Sequence, residues 1–283
     1  MNTSYNETVV KKLKQGRIAA YLCLAVSVLT LIAAVLSFLL PDIYQNAIDR
    51  GVMAVGLLPG SLAQDGVNIV AALSTVALSA VYLRKPSPKV LIALVGLAGN
   101  FLYGYGLYTM EGNFTYLYPI YLAIFSLSIF ALIFGLTGIS RGAASGAMLG
   151  TGLRRAIGVF LLVIMVIFVS LWSVMVVGNT ANNTRPDAYG VFILDLCFVM
   201  PSFAIIAVLL LKNKGFGIAL AGAALVKTFT LILSVAIAEA SGPSYGLVPN
   251  MPMIMVYSAI VLVSFVLGML YFIRLKLGAA IEA

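Results

Sequence analysis

The sequence predicts an all-α protein, a polytopic bundle of eight transmembrane helices with both termini on the cytoplasmic side. Three observations predict it. The 283 residues are 62% hydrophobic and 9% charged, whereas soluble domains carry roughly a quarter charged residues. Eight apolar stretches each approach the ~20 residues that cross a hydrocarbon core at ~1.5 Å per residue. Fourteen of the seventeen basic residues fall in five clusters beside those stretches, which is the pattern of cytoplasmic loops.

The first cluster, Lys11, Lys12, Lys14 and Arg17, precedes an apolar run at 17–40. That run is too long for the hydrophobic region of a signal peptide and lacks a small-x-small cleavage site before Pro41, so it reads as the first span. Span two, at 66–84, ends on Arg84, Lys85 and Lys89. Spans three and four, at 88–110 and 116–138, are joined by a short outward turn. Arg141, Arg154 and Arg155 then bracket a linker whose Gly142, Gly146 and Gly150 mark a flexible connection. Spans five and six, at 155–178 and 190–212, close on Lys212 and Lys214; spans seven and eight, at 215–240 and 253–274, close on Arg274 and Lys276. The outward loops carry Asp42, Asp49, Glu111 and Asp187 against two bases, Arg50 and Arg185. The net charge of +8 is thereby explained by membrane topology, and no nucleic-acid partner is implied.

Within the longest outward loop, Gly51–Leu62 is apolar but broken by Pro59 and Gly60, which suits either an interfacial or re-entrant segment or a folded loop. Tyr103, Tyr105, Tyr108, Tyr116, Tyr118 and Tyr121, with Trp172, crowd the outward edge. They read either as an interfacial aromatic belt or as the rim of an outward-facing pocket. Cys23 and Cys197 both lie in apolar spans and read as small buried hydrophobes rather than a disulfide.

The two halves, 17–140 and 155–276, match in an ordered way. Pro41-Asp42-Ile43-Tyr44 follows the first span of one half, and Pro186-Asp187-Ala188-Tyr189 that of the other. Asp65 and Asp195 then stand near the starts of corresponding helices, and Ala93-Leu94-Val95-Gly96 answers Ala219-Leu220-Ala221-Gly222. This is the pattern of a 4+4 tandem repeat within a single membrane domain covering 1–283.

Lys227, near the middle of span seven, is the outlier. A Lys at the bilayer centre costs roughly 2.5–3.5 kcal/mol on insertion scales, so it should face the bundle interior and find a partner. Asp195 is the nearest acid by depth, about 10 Å closer to the outer surface and within reach of an outward-snorkelling lysine. Pro201 would free a backbone carbonyl nearby. Asp65, with Asn68 one turn on, reads either as the cap of span two or as part of a polar site. In the repeat Asn100 occupies the place of Lys227, so the two should face each other. Tyr103 completes the candidate substrate- or ion-binding set of Asp195, Lys227, Asn100, Asp65, Asn68 and Tyr103, and Glu239 should be solvated at the outer end of span seven.

Ala63-Gln64-Asp65, Phe101 to Tyr108, and Ile193-Leu194-Asp195 followed by Pro201 and Leu209–Lys212 resemble a group of bacterial and archaeal multi-pass membrane proteins without an assigned activity. The similarity covers about residues 40–235. It implies a prokaryotic inner (cell) membrane and no functional residue.

With no histidine in the chain, His-based zinc sites and Ser-His-Asp chemistry are excluded, and no enzyme, metal or cofactor is expected. Two functions remain open: a transporter of a small solute or ion with its polar site at Asp195 and Lys227, or a non-transporting module that binds lipid or a membrane partner, senses, or assembles. The expected partners are the lipid bilayer, a small solute or ion, and a second copy or another membrane protein.

Overall fold

The structure, a computed structural model, describes residues 2–40, 42–139 and 146–277, with side chains from Leu13 onward. Pro41, the Arg141–Gly142 part of the linker and the side chains of Lys11 and Lys12 lie outside the described residues. We number the helices α1 (Asn2–Leu39), α2 (Asp42–Asp49), α3 (Leu58–Arg84), α4 (Pro88–Met110), α5 (Tyr118–Ile139), α6 (Thr151–Ala181), α7 (Tyr189–Leu211), α8 (Gly215–Ser241) and α9 (Met251–Arg274). All but α2 are long and apolar enough to cross a membrane, which makes eight spans. Among the described residues there is no strand, and one isolated bridge pairs Met148 with Lys276.

The predicted spans are all present; α1 is helical from Asn2, α6 extends to Thr151–Ala181, and the start of span two moves most consequentially for the site. Span two starts at Leu58 instead of 66, because Pro59 opens the helix at its first turn instead of breaking it; proline suits that position, where its missing N–H has no partner to lose. The apolar stretch Gly51–Leu62 is therefore neither re-entrant nor wholly loop: Val55–Leu57 forms a 3-10 turn that runs into α3. Ahead of it, α2 is a short amphipathic helix whose Ile43, Tyr44 and Ala47 are buried.

Two helices form the centre. In α4 and α8, 72% and 67% of the most apolar window is buried, against 17% in α6 and in α9. The central pair approaches closely because glycine lines the crossing: a Cβ on Gly96 would lie 2.7 Å from the Ala223 carbonyl, and one on Gly222 would lie 2.8 Å from Ile92. Small residues let backbones meet where lipid supplies no hydrophobic drive between helices. Around this pair α1 packs on α3 and α5, and α5 on α4; α6 packs on α7, and α9 on α8.

The basic end is also where helices α3, α5, α7 and α9 terminate, and its cations cap two of them, α7 and α9. Arg154 is buried and donates from Nη1 to the carbonyls of Leu210 and Leu211 at the end of α7. Lys89 Nζ donates to the Phe272 carbonyl of α9 at 2.9 Å. A cation at a helix C-terminus satisfies orphan carbonyls and meets the negative end of the dipole. Tyr271 adds to this plug, its hydroxyl donating toward the carbonyls of Ile218 and Ala219 at 2.9 and 3.1 Å.

Candidate functional site

The opposite end of the bundle, carrying α2 and the three other loops, opens into a cavity of about 380 Å³ between α3, α4, α6, α7 and α8. Glu111, Ala188, Glu239 and Val248 stand at its mouth, and Asp195, Phe203 and Lys227 lie deep in it. Glu239 is half-buried there instead of fully solvated. Burial pushes Glu111 up to about 7, and the neighbouring Asp187 adds to the rise.

Asp195 is placed by a break in α7. Residues Asp195–Val199 form a π turn between the α-helical pieces Tyr189–Leu194 and Met200–Leu211, and the Met200 N–H bonds the Asp195 carbonyl. Pro201, in the first turn of the second piece, is accommodated in this way; a proline inside a helix strips a backbone bond, and a π bulge re-registers the ladder around it. The bulge aims Asp195 at the cavity, where it is 5% exposed. Trp172 of α6 donates its indole N–H to Asp195 Oδ2 at 2.8 Å, and the Tyr103 hydroxyl stands beside the same carboxylate.

Lys227 comes from the middle of α8. Its stem runs along Gly99 of α4, where a Cβ would lie 3.5 Å from Lys227 Cγ. Its ammonium sits 4.4 Å from the centre of the Tyr103 ring and 5.7 Å from that of Phe203. Aromatic faces stabilise a cation, more so when both are out of water. Asp195 and Lys227 share the cavity but are not a closed ion pair: among the described residues no carboxylate oxygen comes within 4.0 Å of the Lys227 nitrogen.

The remaining candidates lie behind the cavity wall. Asn100 does not face Lys227; its amide donates to Asn68 Oδ1 at 3.1 Å, and Gly99, one residue earlier, is what meets the lysine. Asn68 Oδ1 also accepts from Gln64 at 2.9 Å, and Gln64 Oε1 accepts from Ser234 of α8 at 2.7 Å. Gln64 and Ser234 line the cavity, so the chain of amides runs from its wall into the bundle. Ser234 carried no signal in the sequence, since a lone serine in an apolar helix is commonplace.

Asp65 is not a helix cap. It lies two turns inside α3, 1% exposed, because the helix begins earlier than its apolar run. The Tyr44 hydroxyl of α2 donates to Asp65 Oδ2 at 2.6 Å. The Tyr108 hydroxyl faces both Asp65 Oδ1, at 3.4 Å, and the Ser61 carbonyl, at 3.1 Å. Tyr105, Tyr108 and Tyr121 pack together with ring centres 5.0–5.7 Å apart. The outward tyrosines are thus not a belt: Tyr103, Tyr105, Tyr108 and Tyr121 are buried, Tyr118 is half-buried, and Tyr116 alone of the six is exposed, at 79%. Tyr103, Tyr108 and Trp172 line the cavity instead. Cys23 is buried as expected, whereas Cys197 is exposed on the apolar surface of α7.

No family model, curated protein or solved structure matches this chain. The fold, with eight helices among the described residues long and apolar enough to cross a membrane, is compatible with a multi-pass membrane protein, and the reading of its site rests on its own geometry.

Proposed function

We propose that this protein is a carrier of a small solute across a prokaryotic inner membrane, with the basic end cytoplasmic and both termini there. It works without a cofactor and is not an enzyme. The observation that carries the reading is the cavity: it enters from the end away from the basic clusters and reaches Lys227 and Asp195 at depth. Ionisable groups inside a membrane bundle are expensive to place and mark substrate or ion pathways. The π turn supports the same reading, since interrupted helices at membrane depth are where transporters bind their cargo. The ordered correspondence of the halves is read as a tandem duplication, with the cavity at the junction.

One observation favours the alternative, a module that binds without moving its ligand. Beneath Lys227 the bundle is plugged by the Gly96 and Gly222 crossings and by Tyr271, so inward opening requires these contacts to part. In that reading the exposed apolar faces of α6 and α9 meet a second copy or a membrane partner.

Side-specific labelling separates the two. Val199, the last residue of the π turn, lines the cavity. In a protein with Cys23→Ser and Cys197→Ser, Val199→Cys is treated with an impermeant maleimide in sealed vesicles of each orientation. Labelling from both faces is the expected result. Labelling from the loop end alone would overturn transport and leave the binding module; no labelling from either face would overturn both.

A further inference from the structure

The charges in the cavity do not suit a simple ion. Asp195, with Glu111 and Glu239 at the mouth, opposes a plain anion, while Lys227 at the deep end opposes a plain cation. Each deep charge is also incompletely satisfied by the protein. Asp195 receives the Trp172 N–H on one oxygen, and Lys227 has aromatic faces but, among the described residues, no carboxylate within 4.0 Å. The two charges face one chamber without closing into an ion pair within 4.0 Å. Between them Tyr103 touches both, its ring under the ammonium and its hydroxyl beside the carboxylate.

Beside Asp195 lies an aromatic stack. Trp172 and Phe168 have ring centres 5.9 Å apart at 29°, and Phe168 and Tyr257 have ring centres 6.3 Å apart at 7°. An acid next to aromatic faces recognises an ammonium. A lysine offering free N–H donors in a desolvated pocket recognises a carboxylate. The other walls, Ile164, Val199, Met200, Leu231 and Ile232, are apolar. Apolar cavities with a few convergent polar groups bind ligands with the same division.

We propose that the ligand is a zwitterion of the amino-acid class with an apolar side chain, its carboxylate on Lys227 and its ammonium between Asp195 and Trp172. This rests on the cavity being a ligand site and names what enters it. A zwitterion fills both open valences, and its own two charges offset each other on leaving water together.

Trp172 is the sole tryptophan and touches the site, so its fluorescence reports occupancy in the purified full chain in nanodiscs. Two matched sets of probes share one apolar body each: phenylalanine, phenethylamine and 3-phenylpropionate; leucine, 3-methylbutylamine and 4-methylpentanoate. In at least one set the zwitterion is expected to titrate Trp172 at about tenfold or more lower concentration than either single-charge analogue, the size of one charge-assisted hydrogen bond. Lys227→Met should bring the zwitterion down to the amine's level, and Asp195→Asn down to the carboxylate's. Lys227→Arg, which keeps the charge, should retain the preference and serves as the folding control.

An amine that binds as tightly as its zwitterion would overturn the proposal in favour of an organic-cation site, and an equally tight carboxylate would overturn it in favour of an acid site. Silence of Trp172 toward both sets would overturn it as well. Failure of this idea is distinguishable from failure of transport: two-sided labelling of Val199→Cys without zwitterion binding sinks the ligand class alone. Zwitterion binding with one-sided labelling sinks transport alone.

Discussion

Two buried aspartates, Asp65 in α3 and Asp195 in α7, have opposite surroundings. Asp65 is caged by two phenols behind a wall of tyrosines. Asp195 is held by one indole and opens onto the cavity. The packing around them differs in the same sense. On the Asp65 side α1 lies along α5, closing the bundle, whereas α6 and α9, on the Asp195 side, barely meet. Residue size accounts for this. Gly138 of α5 sits where a Cβ would be 3.1 Å from the Gly16 backbone of α1, and Gly135 faces Ala19. On α6 and α9 the facing residues include Phe168 and Tyr257, stacked ring on ring. Small residues close a seam between membrane helices; large aromatics prop it open.

The sharpest test of the contrast is to delete each acid. Asp65→Ala should destabilise the protein by about 2–4 kcal/mol, because it strands the Tyr44 hydroxyl and leaves a void in a packed region. Asp195→Ala, at the edge of a cavity that already exists, should cost under about 1 kcal/mol. Thermal melting in detergent measures both, and equal losses would break the comparison.

The seams themselves come next. Gly138→Ala should cost about 1–3 kcal/mol, since its methyl meets the α1 backbone and Leu91. Gly178→Ala on α6, with nothing within 4 Å of the added carbon, should be neutral or stabilise by up to about 1 kcal/mol through helix propensity. A Gly138→Ala protein that melts no lower than its parent would remove the size argument.

A smaller effect concerns Lys227. A closed ion pair would make Asp195→Leu and Lys227→Met each strongly destabilising and mutually rescuing. With the two charges apart, the coupling energy from the double-mutant cycle should stay below about 1 kcal/mol. A larger coupling would show the cavity to be a strained structural pair.

A separate test concerns the pH response at the mouth. Glu111 is raised to about 7 from an ordinary 4.5, so the folded protein binds its proton more tightly than the unfolded chain does. Its contribution to stability should therefore be greatest below about pH 4.5 and decline as pH rises toward 7, levelling above that. Glu111→Gln should flatten this part of the melting-temperature profile; an unchanged slope would assign it to another group.

Much of the site was visible one residue at a time. Asp195 and Lys227 stood out because charge inside an apolar span is costly wherever the helix packs, and Pro201 announced a defect in span six. What stayed hidden was which groups meet. Tyr44 reaches Asp65 across a loop, Gln64 bridges α8 and α3 through Ser234, and Asn100 turns to Asn68 while its neighbour Gly99 takes the lysine. The start of α3 was misplaced because Pro59 and Gly60 can end one helix or begin another.

The sequence by itself determined the number of long apolar helices and the clustering of basic residues beside their ends. Transfer of a segment into a bilayer depends on that segment's own composition and length, so its free energy can be read locally. Tertiary structure alone decided which face of each helix is buried: that the outward tyrosines turn inside, that Cys197 turns outside, and that a cavity opens beside Asp195 and not beside Asp65. Lipid is as apolar as the bundle interior, so an apolar helix carries little imprint of which side its neighbour takes. That choice is made by close packing at glycine and by hydrogen bonds between helices, which exist once the helices have met.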